Sequence, residues 1–339
     1  MCRVFVPLAF ALTVFAGANV LAQPVAITAA SSQHSLSALT LASAVQLALE
    51  NNPEISAARR EIDAAQGART QAGAYQNPTL SLEVEDVRRD SRTTTVVLSQ
   101  PFELGGKRAA RMAVAERTVD LAGAQLATRQ AGLRASVTAA FFAALISQER
   151  VRLAQTALEL ARTGSQTAGK RVASGKVSPV EETRAKVAEA NVRLELVQAQ
   201  GELLTSLQEL RALTAHSVAI EVLDGNALVL PRLPAQEALE ARIDNAPALR
   251  QAHLDMQRLG ALADLENARR MPDITVSAGV QRAQDQGRNQ AVIGISVPLP
   301  FFDTNRGNLA EALGRQYKAE DEARAIELRL RADVAAARQ

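Results

Sequence analysis

Two pairs of short segments with alternating apolar and polar residues constrain the fold of this chain more than any other feature. Residues 79–86 and 93–100 form the first pair, and the second pair lies within residues 273–297. A period of two predicts half-buried β-strands, and the polar stretch inside each pair predicts a hairpin loop. Because most of the remaining sequence has helical periodicity, we predict a mainly helical protein with four strands in two β-hairpins.

Each predicted strand has one aliphatic and one polar face. Strands of about eight to ten residues with this alternation are typical of transmembrane β-strands. On the polar face, Glu83 and Glu85 are predicted to face a watery lumen, and plain solvation is the alternative for both carboxylates. The side chains predicted to face lipid are Leu80, Leu82, Val84, Val96, Leu98, Ile274, Val276, Ile293, Ile295 and Val297.

Four strands are too few to close a membrane barrel by themselves. Closed barrels have about eight or more strands, and an open edge in lipid leaves backbone groups unpaired. The strands are therefore predicted to close through further copies of the chain. A soluble sheet packed on helices is the alternative, but no large apolar helix face is left over to cover it.

Aromatic residues make up only 3% of the chain, and Trp is absent. Outside the N-terminal segment, those near the predicted strands lie at their helix-side ends. This placement fits one half of an aromatic girdle at a membrane surface, although ordinary packing at a strand–helix corner is an alternative. These rim aromatics are Tyr75, Phe102, Phe301 and Phe302.

The N-terminus has the pattern of an export signal. Arg3 precedes an apolar run, and small residues up to Ala22 form a cleavage site, so residues 1–22 are predicted to be a signal peptide. The run is short for a membrane anchor. Cys2 is the only cysteine, so the mature chain would have no disulfide or thiolate metal site. Residues 23–40 are predicted to be a flexible linker, and no later stretch predicts a transmembrane helix.

Residues 105–214 are predicted to form an antiparallel coiled helical hairpin. Heptad spacing follows the first helix from Met112 to Leu158, and the glycines of residues 164–175 are predicted to break it. Ser178 and Pro179 suit the N-cap and first turn of the return helix. Its predicted seam, again in heptad spacing, is formed by Val180, Thr183, Val187, Ala190, Leu194, Val197 and Leu204.

The order of predicted elements occurs twice. Pro53 and Pro247, like Pro78 and Pro272, are 194 positions apart, so the sequence predicts an internal repeat. Residues 41–233 form the first repeat, including a packed connector over residues 215–233. Residues 234–339 form a second repeat that contains a helix, the β-hairpin of residues 273–297 and the start of a long helix. Because the sequence ends within that helix, we expect the chain to be C-terminally truncated.

Several classes of site are not predicted. A net charge of +2 without a basic patch gives no support for nucleic-acid binding. His34, His216 and His253 are far apart, so the sequence predicts neither a metal site nor a cofactor. The Gly105-Gly106-Lys107 stretch lacks the first glycine of a phosphate-binding loop, and no catalytic arrangement is evident, so we do not expect an enzyme.

Five stretches, in order, resemble the TolC-like outer-membrane efflux proteins, and within them the cation-efflux (CzcC-like) branch. They are residues 41–58, Asn77-Pro78, and residues 99–108, 171–185 and 297–308. The resemblance implies a homotrimer with one 12-stranded outer-membrane barrel, and helices that form a periplasmic tunnel. It also implies two partners, a periplasmic membrane-fusion adaptor and a proton-driven inner-membrane pump of the RND type.

The turn between the coiled helices matches the place where this family meets its adaptor. Turn and N-cap chemistry alone explain Gly175 and Pro179. The charged Lys176 and Glu181 are therefore the better contact candidates. The complete set implied by the resemblance is Gly175, Lys176, Ser178, Pro179 and Glu181.

The resemblance implies a passive conduit from the periplasm across the outer membrane of a Gram-negative bacterium, exporting cations such as cobalt, zinc and cadmium. An exit duct for organic drugs or for type I secretion is an alternative within the same class. A soluble periplasmic coiled-coil adaptor or structural protein is an alternative of another class, and it requires the strands to be soluble.

Overall fold

The computed structural model describes residues 38–86, 88, 90–215, 222–227, 229 and 234–337. The predicted signal peptide, most of the predicted linker, His34 and His216 lie outside these residues. In chain order, the elements are α1 (Leu41–Asn51), α2 (Pro53–Ala72), β1 (Thr79–Glu85), β2 (Thr93–Phe102), α3 (Lys107–Ala173), α4 (Pro179–Thr214), α5 (Gln236–Ile243), α6 (Pro247–Ala268), β3 (Ile274–Ala283), β4 (Arg288–Ser296) and α7 (Arg306–Ala336).

The chain is already ordered at the end of the predicted linker. The amide of Leu39 donates to the carbonyl oxygen of Val222 at 3.1 Å, and the amide of Asp224 donates to the carbonyl oxygen of Leu39 at 3.0 Å. Thr40 then caps α1 through a reciprocal hydrogen-bond pair with Ser43. The predicted end of the flexible linker at residue 40 is therefore wrong, because backbone pairing holds Leu39 and Thr40 caps α1.

Helix α3 has 67 residues, which correspond to a length of about 100 Å at 1.5 Å per residue. It continues through Gly164 and Gly169, so the predicted break at these glycines is wrong. A glycine inside a helix costs only about 1 kcal/mol, and packing along α4 outweighs that cost. Only Gly175, with φ +70°, lies at the turn.

One 18-residue window of α3 has a mean hydropathy of 1.2, so by length and composition it could cross a membrane. This window was not expected from the sequence. Only 28% of it is buried, and α3 as a whole is far longer than the roughly 20 residues that a crossing requires. Its contacts with α1, α2, α4 and α6 give its apolar residues a packing role.

The seam between α3 and α4 uses a different stripe of α4 from the predicted one. All seven residues of the predicted seam are exposed, and Val180, Val187 and Leu194 are more than half exposed, so the predicted seam is wrong and faces away from α3. A neighbouring heptad stripe contacts α3 instead. Its buried or half-buried members are Glu182, Ala185, Glu189, Val192, Leu196, Ala199, Leu203, Ser206, Leu210 and Leu213. Helix α4 therefore carries two heptad stripes, and one of them is exposed and has no partner among the described residues.

The two hairpins join into one antiparallel sheet with the order β1-β2-β3-β4. Strand β2 of the first repeat pairs with β3 of the second, so that Leu82, Val96 and Val280 lie in one row. Strands β1 and β4 are the two edges. The start of β1 and the end of β4 lie at the same, helix-side end of the sheet.

The structure has the elements of both predicted repeats in the same order. Helices α2 and α6 both begin with proline in their first turn, and α3 and α7 both begin after a left-handed residue, Gly106 or Asn305. The strand-to-helix connections differ: the first exit turn (residues 103–106) has four residues and the second exit turn (residues 297–305) has nine. The helix-to-strand connections are the first connection (residues 73–78) and the second connection (residues 269–273).

Candidate functional site

The sheet exposes its aliphatic face and partly covers its polar face. In β3, Val276, Ala278 and Val280 are exposed, whereas the intervening Ser277 and Gln281 are half-buried. Strand β2 shows the same preference around Val96 and Leu98, and β4 shows it over residues 292–295, whereas β1 is exposed on both faces. A sheet covering a water-soluble core shows the reverse pattern. The exposed aliphatic face therefore requires an apolar environment outside the chain.

The pairing register places the predicted strand residues on two faces. Glu83 and Glu85 lie on the polar face, in rows with Gln281 and Ala283. The aliphatic residues predicted to face lipid share the other face, except that Val297 follows the end of β4 and Ile274 is half-buried at the start of β3. The strand residues therefore form two opposite faces of the sheet, and neither face is assigned a ligand.

Gly279 lies on the polar face of β3, where the alternation places it, and its close approach to β2 was not predicted. A Cβ atom at this position would lie 2.3 Å from the carbonyl oxygen of Val96 and 2.8 Å from the Val97 side chain. Strand β3 therefore approaches β2 too closely here for any side chain. Alternation alone did not reveal this, because glycine fits either face of a predicted strand.

A network of ionic contacts fastens the first exit turn. The Arg111 guanidinium donates to both carboxylate oxygens of Glu103, and also to the carbonyl oxygens of Ala72 and Ala74 in and after α2. The Glu103 side chain is only 10% exposed. The hydrogen bonds from Arg111 hold the pKa of the Glu103 carboxyl below its usual range, against the opposing effect of burial. Glu103 is therefore held as a carboxylate.

A second contact ties the first repeat to the second. Lys107 Nζ lies 2.7 Å from Asp273 Oδ1, and the amide of Leu104 donates to the same oxygen at 3.1 Å. Both side chains are largely buried, with exposed fractions of 13% and 29%. The sequence analysis missed this pair, because 166 positions separate the two residues.

The rim aromatics lie near the helix-side end of the sheet, as their sequence positions predict. Tyr75 belongs to the first connection, and its ring centroid lies 4.3 Å from Cζ of Arg108, within the range of a cation–π contact. Phe102 ends β2, while Phe301 and Phe302 belong to the second exit turn. All four are more than half exposed.

The predicted adaptor-contact residues lie together at the tip between α3 and α4. Gly175 adopts the left-handed conformation, and the amide of Lys176 donates to the carbonyl oxygen of Arg171 at 2.9 Å. Ser178 caps α4 and Pro179 occupies its first turn, which accounts for both by local geometry. Glu181 is exposed and pairs with Arg184 at 2.9 Å.

A polar contact lies inside the coiled seam just behind the tip. Ser165, which is buried, donates to Glu189 at 2.6 Å. Glu189 also accepts from Arg193 at 2.9 Å. A polar pair within an apolar seam favours one register of the two helices, so this contact fixes how far α3 and α4 extend toward the tip.

Within the described part of the chain, no group of three or more His, Cys, Asp or Glu side chains is placed to hold a metal ion. A groove of 610 Å³ lies where α2, α3, α6 and α7 face each other, with Asp255, Arg258 and Glu322 in its lining. Arg258 and Asp255 already pair at 2.8 Å. Neither this groove nor its Asp255–Arg258 ion pair indicates a catalytic centre.

Comparison with known proteins gives a consistent result. The Outer membrane efflux protein family matches residues 44–216 and 238–338. The chain is 44% identical to the cobalt-zinc-cadmium resistance protein CzcC of Cupriavidus metallidurans over 285 residues, covering 84% of this chain and 68% of that protein. It is 30% identical to the nickel and cobalt resistance protein CnrC of the same organism, covering 95% and 76%.

The fold also matches a solved structure, the outer membrane protein VceC of Vibrio cholerae. The TM-score is 0.66 at 20% identity, covering 85% of this chain and 75% of that protein. The sequence-based predictions of fold class and location are confirmed: the chain is an efflux channel protein of the outer membrane that extends into the periplasm. Members of this family form trimers that work with adaptors and inner-membrane pumps. The chain belongs to the outer membrane efflux protein family, in its CzcC-like branch.

Proposed function

We propose that this protein is the outer-membrane exit duct of a tripartite efflux system that exports heavy-metal cations of the cobalt, zinc and cadmium type. The observation that carries the choice of cargo is the 44% identity to a cobalt-zinc-cadmium resistance protein. The duct is passive, and the inner-membrane pump supplies both the energy and the selection of the ion. We propose no cofactor, resident metal or catalytic residue.

A homotrimer completes the barrel. Among the described residues, β1 and β4 are the unpaired edges of the sheet. An unpaired edge in lipid is costly, so three copies with four strands each would give a closed barrel of 12 strands. The unpartnered stripe of α4, which includes Val187 and Leu194, supports helix contacts between copies as well. We also propose that the signal peptide is removed after residue 22. The mature chain then contains two repeats, at residues 41–233 and 234–339.

In this barrel the exposed aliphatic face contacts lipid and the polar face lines the lumen, where Glu83 and Glu85 contribute negative charge. Val96 and Val97 provide a matched test, because they are neighbours on opposite faces. Val96→Asp should cost roughly 2–4 kcal/mol at mid-membrane depth and lower the trimer yield, whereas Val97→Asp should be far milder. Equal trimer yields from the two variants would contradict the assigned facing.

The tip between α3 and α4 contacts the periplasmic adaptor. Lys176 and Glu181 carry exposed charge there, and the adjoining groove of 410 Å³ is lined by Val177, Glu181 and Arg184 among others. Gly175, Ser178 and Pro179 shape the turn that presents these charges. The adaptor in turn connects the duct to an RND-type pump in the inner membrane.

Gene deletion and complementation in the native host test the cargo. Deletion should increase sensitivity to cobalt, zinc and cadmium, and the complete gene should restore resistance. Unchanged metal resistance together with impaired export of organic compounds or of a secreted protein would assign the duct to another cargo. Recovery of the mature protein in the soluble periplasmic fraction would support an adaptor role and contradict the channel.

A further inference from the structure

The second exit turn presents an apolar cluster to solvent. Leu299 and Phe301 are largely exposed, and Phe302 is completely exposed. The amide of Phe301 donates to the carbonyl oxygen of Leu299 at 2.9 Å, which holds these residues in a tight turn. Clustered, exposed apolar side chains of this size mark an interaction surface.

The first exit turn shows how a turn at this position docks. It lies against the second connection, so closely that a Cβ atom on Gly105 would be 2.8 Å from Cβ of Met271. The contacts of Leu104 and Lys107 with Asp273 join the same two segments. Because β2 pairs with β3, each exit turn is expected to meet the helix-to-strand connection of the next hairpin in the sheet.

For the second exit turn, no further hairpin follows β4 in the sheet formed by the described residues. Strand β4 is an edge, and the strands alternate in direction from β1 to β4. Strand β1 of another copy would continue the sheet in the antiparallel sense. Its start would then lie beside the end of β4, so the second exit turn would meet the first connection of the neighbouring copy.

The first connection offers a suitable surface for apolar side chains. Tyr75 remains 75% exposed although Arg108 lies over its ring. A groove of 620 Å³ on one side of Tyr75 includes Ala72, Val114 and Leu265 in its lining. A second groove of 600 Å³ includes Pro78, Pro101 and Phe102.

We propose that the second exit turn of one copy inserts Phe301 and Phe302 into the grooves beside Tyr75 of the neighbouring copy. The rim aromatics then form contacts between copies, at the level of the membrane surface. This inference rests on the proposed homotrimer. An ion pair like that of Lys107 and Asp273 is not repeated there, because Thr79 holds the place of Asp273 in the first repeat, and aromatic packing takes over that role.

A cysteine pair in the complete protein tests the contact directly. Cys2, the only cysteine among residues 1–339, lies in the predicted signal peptide. With any further cysteine of the complete protein replaced by serine, Tyr75→Cys with Phe302→Cys provides the two thiols of the test. In native outer membranes, a short thiol cross-linker should give covalent oligomers from the double variant only, with each single variant as a control. Normal trimers without cross-linked species would overturn the inference. A wild-type protein that is not trimeric would instead overturn the proposed homotrimer.

A double-mutant cycle separates a second copy from lipid as the occupant. The thermal dissociation of the trimer would be compared among the wild type, Tyr75→Ala, Phe302→Ala and the double variant. If Tyr75 and Phe302 touch across copies, each single substitution already removes their shared contact. The double variant should then dissociate at nearly the same temperature as the less stable of the two single variants. Additive shifts would mean that each residue contacts lipid independently, and would overturn the inference.

Discussion

Both exit turns link a strand to a long helix, but they differ in length and in the contacts that hold them. The first is short: Arg111 holds its Glu103 carboxylate, and Asp273 holds its Leu104 amide and the adjoining Lys107 side chain. The second is longer and is anchored near its end, where Asn305 donates to the main chain and carboxylate of Glu266 at 2.8 and 2.9 Å. Its apolar residues before Asn305 remain exposed.

The difference follows from the place of each turn in the sheet. The first turn leaves an inner strand, so its partner is the second repeat of the same chain and ionic contacts can be satisfied within one molecule. The second turn leaves an edge strand and has no such partner. The two repeats are therefore not equivalent, because in the described part of the chain β2 pairs with the other repeat whereas β4 lies at an edge of the sheet.

The largest expected effect comes from removing the centre of the first network. Arg111→Ala leaves the nearly buried Glu103 carboxylate without its bidentate partner, and should cost roughly 2–4 kcal/mol. The thermal midpoint of the purified protein measures this. Arg315→Ala in α7 is the control, since Arg315 pairs only with Glu311 on the exposed helix surface and should have little effect. Equal shifts would contradict the special role of the first turn.

A backbone test comes next. Gly105→Ala adds a Cβ atom at φ +69° and against Met271, which should cost about 1–3 kcal/mol in the same thermal measurement. Gly307→Ala, in the first turn of α7 with open space around it, should be neutral or slightly stabilising. A neutral Gly105→Ala variant would show that the first turn does not need its close approach to the second connection.

The link between repeats should have a smaller effect. Asp273→Ala removes the partner of Lys107 and the acceptor for the Leu104 amide, at a cost of about 1–2 kcal/mol. Asp303→Ala in the second exit turn removes only an exposed hydrogen bond from the Asn305 amide, and should cost less. Hydrogen exchange of the Leu104 amide would report the loosening of the first turn, and unchanged protection in Asp273→Ala would count against this contact.

The smallest expected effect is a dependence on pH. The pKa of Glu103 is lowered in the folded protein, so its stabilising contribution is complete above the ordinary glutamate pKa. It is lost as the pH falls from that value through the lowered folded value. Thermal midpoints of the wild type and Glu103→Gln should therefore converge on acidification. A constant gap between them down to the lowest measurable pH would contradict this assignment.

Many of the helices and strands were predictable because each follows from a local periodicity in the sequence. Alternation located the strands of both hairpins, and Ser178 with Pro179 located the start of α4. The 194-residue offset located the repeat. The predicted tip residues lie in one turn because they are neighbours in the sequence, and their contact with an adaptor stays a prediction.

Periodicity alone predicts which residues share a face, since periods of 2.0 residues in a strand and 3.6 in a helix follow from backbone geometry. The partner of each face depends on the packing of distant segments. In the folded protein, the second heptad stripe of α4 forms the seam, α3 continues through Gly164, and Lys107 contacts Asp273. Those choices depend on contacts between distant segments, whose combined packing outweighs the roughly 1 kcal/mol preferences of single residues.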